Sequence, residues 1–107
     1  MMNDLWIERF NKEVLPLIVT EFKPVKVMFF GSRVSGGASE DSDIDVIVIS
    51  EDFIDIPFVK RMGMILKLAR FPKHVDYLCY TPEEFSNVKN NSVVIEDALE
   101  NHLEAVY

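Results

Sequence analysis

The stretch VKVMFFGSRVSGGASEDSDIDVIVIS, residues 25–50, decides the fold. Val25-Lys26-Val27-Met28-Phe29-Phe30 is short and nearly continuous in apolar character, the pattern of a strand buried on both faces. Asp43-Ile44-Asp45-Val46-Ile47-Val48-Ile49-Ser50 reads as a second strand, dense in the β-branched residues that suit a pleated surface. Between them, Gly31 to Ser42 is small, polar and glycine-rich, and reads as a turn.

Working outward, residues 3–22 carry Trp6, Phe10, Val14, Leu17 and Ile18 on one helical stripe. Pro16 lies inside that stripe and predicts a kink or two short helices. Phe22-Lys23-Pro24 stops the segment. Downstream, residues 51–56 form an acidic loop, and Pro57 suits the first turn of a helix. Phe58, Met62, Ile65 and Ala69 give that helix its core face, Met62 and Met64 read as core, and the helix ends near Phe71-Pro72. His74-Val75-Asp76-Tyr77-Leu78-Cys79-Tyr80 is a third strand. Thr81-Pro82-Glu83-Glu84-Phe85 combines a cap, a proline at the first helical position and an acidic first turn. Ser92 to Val106 reads as a final helix. Its apolar stripe is Ile95, Ala98, Leu99, Leu103 and Val106, and Glu96, Glu100 and Glu104 line another face. The order α-β-turn-β-α-β-α predicts one α/β (α+β) domain over residues 1–107. Its sheet is small, mixed and three- to four-stranded, with flanking helices.

A chain of 107 residues has room for one core. With 49% apolar and 27% charged residues, it is neither disordered nor fibrous in composition. No apolar run reaches the roughly 18–20 residues that span a bilayer, and charge appears at Asp4, too early for a signal peptide. The lone Cys79 excludes an internal disulfide framework and a cysteine-based zinc site, and reads as a buried thiol. A cytoplasmic protein is the expectation. The net charge of −7 repels nucleic acid, whose non-specific affinity comes from neutralised phosphates. Lys60, Arg61, Lys67, Arg70 and Lys73 form a local basic run, read as the solvated face of a helix, with docking of an acidic partner as the alternative.

The chemistry sits in three carboxylates. Asp43 and Asp45 are two apart at the start of a strand and so project from one face. Like charges so placed repel unless a cation lies between them. Asp76 is the acid within the third strand, and it completes the cluster if that strand neighbours the second. Hard oxygen ligands of this kind suit Mg²⁺ or Mn²⁺. Gly31-Ser32 closes the first strand, where a glycine lets backbone approach a phosphate and a serine can donate to it. Ser39, Asp41 and Ser42 read as solvated loop, and His74 and His102 as surface or packed residues. A P-loop is excluded, because positions 37 and 38 are Gly and Ala where it needs Lys and Ser/Thr. An EF-hand is excluded, because Val46 and Asp52 stand where Gly and Glu belong.

Gly31-Ser32, ten residues, Asp43-Ile44-Asp45 and a later strand Asp76 resemble the nucleotidyltransferase superfamily that includes DNA polymerase beta. The short length, with Arg33 and Gly36 after the Gly-Ser, is similar to its minimal nucleotidyltransferases, and the resemblance spans roughly residues 25–80. It implies that Asp43 and Asp45 bind two Mg²⁺ ions. Asp76 is the third ligand and helps activate the acceptor hydroxyl. Gly31 and Ser32 hold the triphosphate, assisted by Arg33. ATP is the implied donor and AMP the group transferred. Many minimal members are antitoxins that attach AMP to a tyrosine of a HEPN-domain ribonuclease toxin. That implies a toxin partner and homo- or hetero-oligomers that cover an exposed sheet edge, while the net charge of −7 and the lack of a spanning apolar run predict no direct partnership with nucleic acid or membrane. The acidic C-terminal helix could meet a basic toxin. Two other readings stay open: transfer to a small-molecule hydroxyl, and a non-catalytic module that neutralises a partner by contact.

Overall fold

A computed structural model describes residues 4–36 and 41–107. The N-terminal stripe forms two helices, α1 (Leu5–Glu13) and α2 (Leu15–Phe22), broken at Val14 with Pro16 in the first turn of α2. Phe10, Val14 and Ile18 are buried as expected. Leu17 is exposed instead, because the restart at Val14 shifts the helical phase and gives the inward place to Leu15. Asp4 caps α1, with its Oδ1 accepting from the Trp6 and Ile7 amides at 2.9 and 3.2 Å.

β1 (Lys26–Phe30) runs into a short helix, α3 (Ser32–Ser35), where the sequence reads as a plain turn. β2 (Ile44–Ile49) follows, then a 3-10 turn over Glu51–Phe53 within the predicted acidic loop. α4 (Phe58–Leu68) crosses to β3 (Val75–Tyr80). α5 (Pro82–Asn91) opens with a complete capping box between Thr81 and Glu84. α6 (Val93–Glu100) and a two-residue strand, β4 (Leu103–Glu104), end the chain. The predicted helix from Ser92 to Val106 is therefore corrected. It stops at Glu100, and Leu103 and Glu104 pair with Phe29 and Met28 on the edge of β1. Val106, placed on the apolar stripe, is exposed. The ladder satisfies backbone groups that β1 would otherwise leave open at that edge.

The sheet order is β3-β2-β1-β4. β2 is antiparallel to β1 and parallel to β3, and β1 is antiparallel to β4. Side-chain alternation divides the strands between two cores. Val27, Phe29, Ile44, Val46, Val48, Val75, Tyr77 and Cys79 face α1, α2 and α4. Met28, Ile47, Ile49 and Tyr80 face α5 and α6. Phe10 anchors the first core, edge-on to Phe29 with ring centroids 5.4 Å apart.

α4 corrects the predicted face. Ile65 and Ala69 are buried, whereas Phe58, Met62 and Met64 are exposed. The inward place goes to Arg61, only 3% exposed, which removes it from the solvated basic face. Its Nε donates to the Ile56 carbonyl at 2.9 Å, its Nη1 to the Cys79 carbonyl at 3.1 Å, and its Nη2 to Glu84 Oε2 at 3.2 Å. A guanidinium with partners from three segments is satisfied where a lysine would not be. Cys79 is buried, and burial pushes its thiol up to about 12. No helix among the described residues is long and apolar enough to cross a membrane.

Candidate active site at the acidic end of the sheet

Register brings the site together. Phe30 pairs with Asp45 across β1 and β2, and Asp45 pairs with Asp76 across β2 and β3. Asp45 and Asp76 lie in phase with Ile47 and Leu78, so both carboxylates project toward the α5–α6 side. Asp43 sits directly before β2 in the same phase. The expected adjacency of the second and third strands thus holds.

The carboxylates converge. Ligand atoms of Asp43, His74 and Asp76 all lie within 4.8 Å of one another. Asp45 is half-buried beside them. Burial, first, and the neighbouring Asp76 and Asp43 charges push its carboxyl above the ordinary value, while His74 partly offsets them. A cluster of hard oxygens, one of them with its charged form disfavoured by burial and by like neighbours, fits a small divalent cation that would offset both. His74 Nε2 stands 2.9 Å from Asp76 Oδ1. This histidine reads from sequence as a surface residue. It is exposed, and its spacing, two before Asp76, puts it on the same face.

Gly31, expected at the triphosphate, meets a local backbone demand. It adopts φ 79° and ψ −165°, a conformation reserved almost wholly for glycine. A Cβ there would lie 2.1 Å from Asp45 Oδ2. The glycine therefore lets the turn close over the Asp45 carboxylate, besides any contact with a phosphate. Ser32 follows as the first residue of α3.

Arg33, expected to assist at the triphosphate, is a buried side chain of α3. It is 6% exposed. Its Nε donates to the Ser42 carbonyl at 2.6 Å and its Nη1 to Asp4 Oδ2 at 2.8 Å. It thereby joins the cap of α1, the Gly31-Ser32 turn and the residue before Asp43. Asp41 is exposed, and Ser39 lies outside the described residues. A cleft of about 280 Å³ opens beside Gly31, between Ser35 and the α6 side chains Val94 and Asp97 with Asn101. Nothing local in the sequence of α6 marks it as a wall of the site.

The arrangement can hold a metal–phosphate group between carboxylates and a glycine turn. The comparisons agree with that chemistry. The profile of the nucleotidyltransferase domain family matches residues 10–103. A Haemophilus influenzae protein named as a protein adenylyltransferase, MntA, is 31% identical over 86 residues, covering 78% of this chain and 73% of its own length. A Sulfolobus solfataricus structure described as a nucleotidyltransferase superposes with a TM-score of 0.59 at 28% identity, covering 81% of this chain and 83% of its own. BolA1 from Arabidopsis thaliana superposes with a TM-score of 0.55 at 20% identity over 77% of this chain and 98% of its own, a likeness of fold alone.

Proposed function

The chain belongs to the nucleotidyltransferase domain family and is a transferase, and from that premise we propose that it moves AMP from ATP onto a tyrosine hydroxyl of a partner protein, a HEPN-domain ribonuclease toxin. The reading is supported by the relative named as a protein adenylyltransferase. The observation that carries the chemistry is the register that sets Asp45 against Asp76, under the turn at Gly31.

Asp43, Asp45 and Asp76 are the residues that would hold two Mg²⁺ ions. Bound there, the ions would neutralise the phosphates and stabilise the leaving group. Gly31 and Ser32 take the triphosphate, the backbone amide and the serine hydroxyl donating to its oxygens. Asp76, exposed at the rim, accepts the proton of the acceptor hydroxyl. The acceptor oxygen then bonds to the α-phosphorus in line as the bond to pyrophosphate breaks. Arg33 keeps the turn and Asp43 in place through Ser42 and Asp4. The acidic side chains of α6, Glu96, Asp97 and Glu100, offer a face for a basic partner beside the cleft.

The test is label transfer. The protein is incubated with Mg²⁺, α-labelled ATP and lysate of its own host, beside an Asp43→Ala/Asp45→Ala double variant. Label on a discrete protein that the variant does not label is the expected result, and that protein should be the toxin. Label confined to a small molecule would move the acceptor class. No label at all, with partner neutralisation surviving in the variant, would make the chain a module that acts by contact.

A further inference from the structure

We propose that His74 is a direct metal ligand: its imidazole nitrogen joins Asp43 and Asp76 around one divalent ion and tilts the site toward Mn²⁺ over Mg²⁺. This inference rests on the nucleotidyltransferase reading and extends its ligand set by a nitrogen.

The geometry carries it. One ligand atom from each of Asp43, His74 and Asp76 lies within 4.8 Å of the other two. An ion bound at about 2.0–2.2 Å holds opposite ligands roughly 4.0–4.4 Å apart, so closing the set needs shifts of a few tenths of an ångström. The backbone at His74 is fixed, because its carbonyl accepts from the Ile44 amide at 3.1 Å, between Asp43 and Asp45 in sequence. That bond ties the histidine to the strand that bears the other ligands. The side chain, 63% exposed, has room for the small adjustment. Its Nε2 already points at Asp76, 2.9 Å away, so ligation requires the neutral tautomer protonated at Nδ1.

The consequence is selectivity. Mg²⁺ demands oxygen ligands and sheds water reluctantly, whereas first-row transition ions accept imidazole readily. A site of two carboxylates and one imidazole therefore departs from an all-oxygen one in the ion it prefers. Open positions remain for phosphate oxygens, because three protein ligands leave an octahedral ion half free.

Pulsed electron paramagnetic resonance of the Mn²⁺-loaded chain tests ligation directly, through the nitrogen coupling of a bound imidazole. The chain has two histidines. The other, His102, holds the Leu99 carbonyl through Nδ1 at 2.8 Å. The parent and His102→Gln should show the coupling, and His74→Gln should lose it. His74→Gln should also weaken Mn²⁺ about tenfold, as loss of a supporting group at a metal site does, with Mg²⁺ affinity nearly unchanged. Mn²⁺ bound without nitrogen coupling, yet released by Asp43→Asn/Asp45→Asn, would overturn His74 as a ligand and leave the transferase reading intact. Mn²⁺ binding that is absent, or indifferent to those two aspartates, would overturn both.

Discussion

The two ends of the sheet treat their acids in opposite ways. At one end Asp43, Asp45 and Asp76 crowd together, and Asp45 is pushed toward protonation by burial and by its neighbours. At the other end Glu84 is held as an anion. The Arg61 guanidinium is the main cause, and the Thr81 amide and hydroxyl add to it. A larger cleft, about 680 Å³, lies at this second end, lined by Glu51, Thr81, Glu83 and Asn87. Size alone would favour it as the site. Unresolved charge favours the smaller cleft beside Gly31. Acids set against a buried cationic side chain hold a fold together, and acids crowded against one another are candidates for a bound cation.

Each end is also tied by a buried arginine, and breaking the tie at the active end should give the largest effect. Arg33 and Asp4 side chains are 7% and 10% exposed. Arg33→Ala leaves Asp4 and the Ser42 carbonyl without that donor, and breaking a buried pair costs about 3–5 kcal/mol. Urea unfolding should show a loss of that order. Transfer activity should fall further than the folded fraction explains, since the Gly31 turn and Asp43 lose their common anchor.

The next effect separates chemistry from stability. If Asp45 holds metal as proposed, Asp45→Asn should lower label transfer by more than about a hundredfold. The same variant should unfold at equal or higher urea than the parent, because it removes a charge that burial and two like neighbours disfavour. A variant that is inactive and also clearly less stable would mean that Asp45 is structural. Gly31→Ala stands next. It forces a Cβ to within 2.1 Å of Asp45 Oδ2 and sits at φ 79°. Backbone strain of this kind costs on the order of 1–3 kcal/mol. Activity should drop together with thermal stability, which distinguishes it from Asp45→Asn.

The same contrast explains what was legible in the sequence. Asp43, Asp45 and Asp76 could be placed because strand alternation is local and their two strands are short, apolar runs. Pro16 likewise marked the break between α1 and α2. What failed depended on partners distant in sequence. Arg61 looked like one of five solvated bases, and it is buried because Ile56, Cys79 and Glu84 supply acceptors from elsewhere. Leu103 continued the stripe of α6 by periodicity, but the open edge of β1 drew it into a strand. His74 is exposed, as it reads from the sequence, and it is the pairing of β2 with β3 that brings it near Asp43. Tertiary context overrides a short helical pattern more readily than an alternating strand that is buried on both faces.

The smallest effect is the sharpest test of the comparison, because it turns on sign. Glu84→Gln removes a charge from a pair whose carboxylate is 41% exposed, so solvent screens it and the loss should be only about 0.5–1 kcal/mol at neutral pH. Glu84 has a lowered pKa, so its contribution is present above the ordinary 4.5 and disappears as pH falls through the lowered value. Asp45 has a raised pKa, so its penalty is present at neutral pH and is relieved as pH falls through the raised value, fully so below the ordinary 3.8. Urea midpoints at pH 7, 5 and 4 should therefore place Asp45→Asn at or above the parent and Glu84→Gln below it at pH 7. On acidification the Asp45→Asn difference should close first. The Glu84→Gln difference should persist to lower pH, because its carboxyl stays ionised longest. If both variants were destabilised at pH 7 and converged together, the carboxylates at the two ends would be doing the same structural work, and the electrostatic case for the active end would fall.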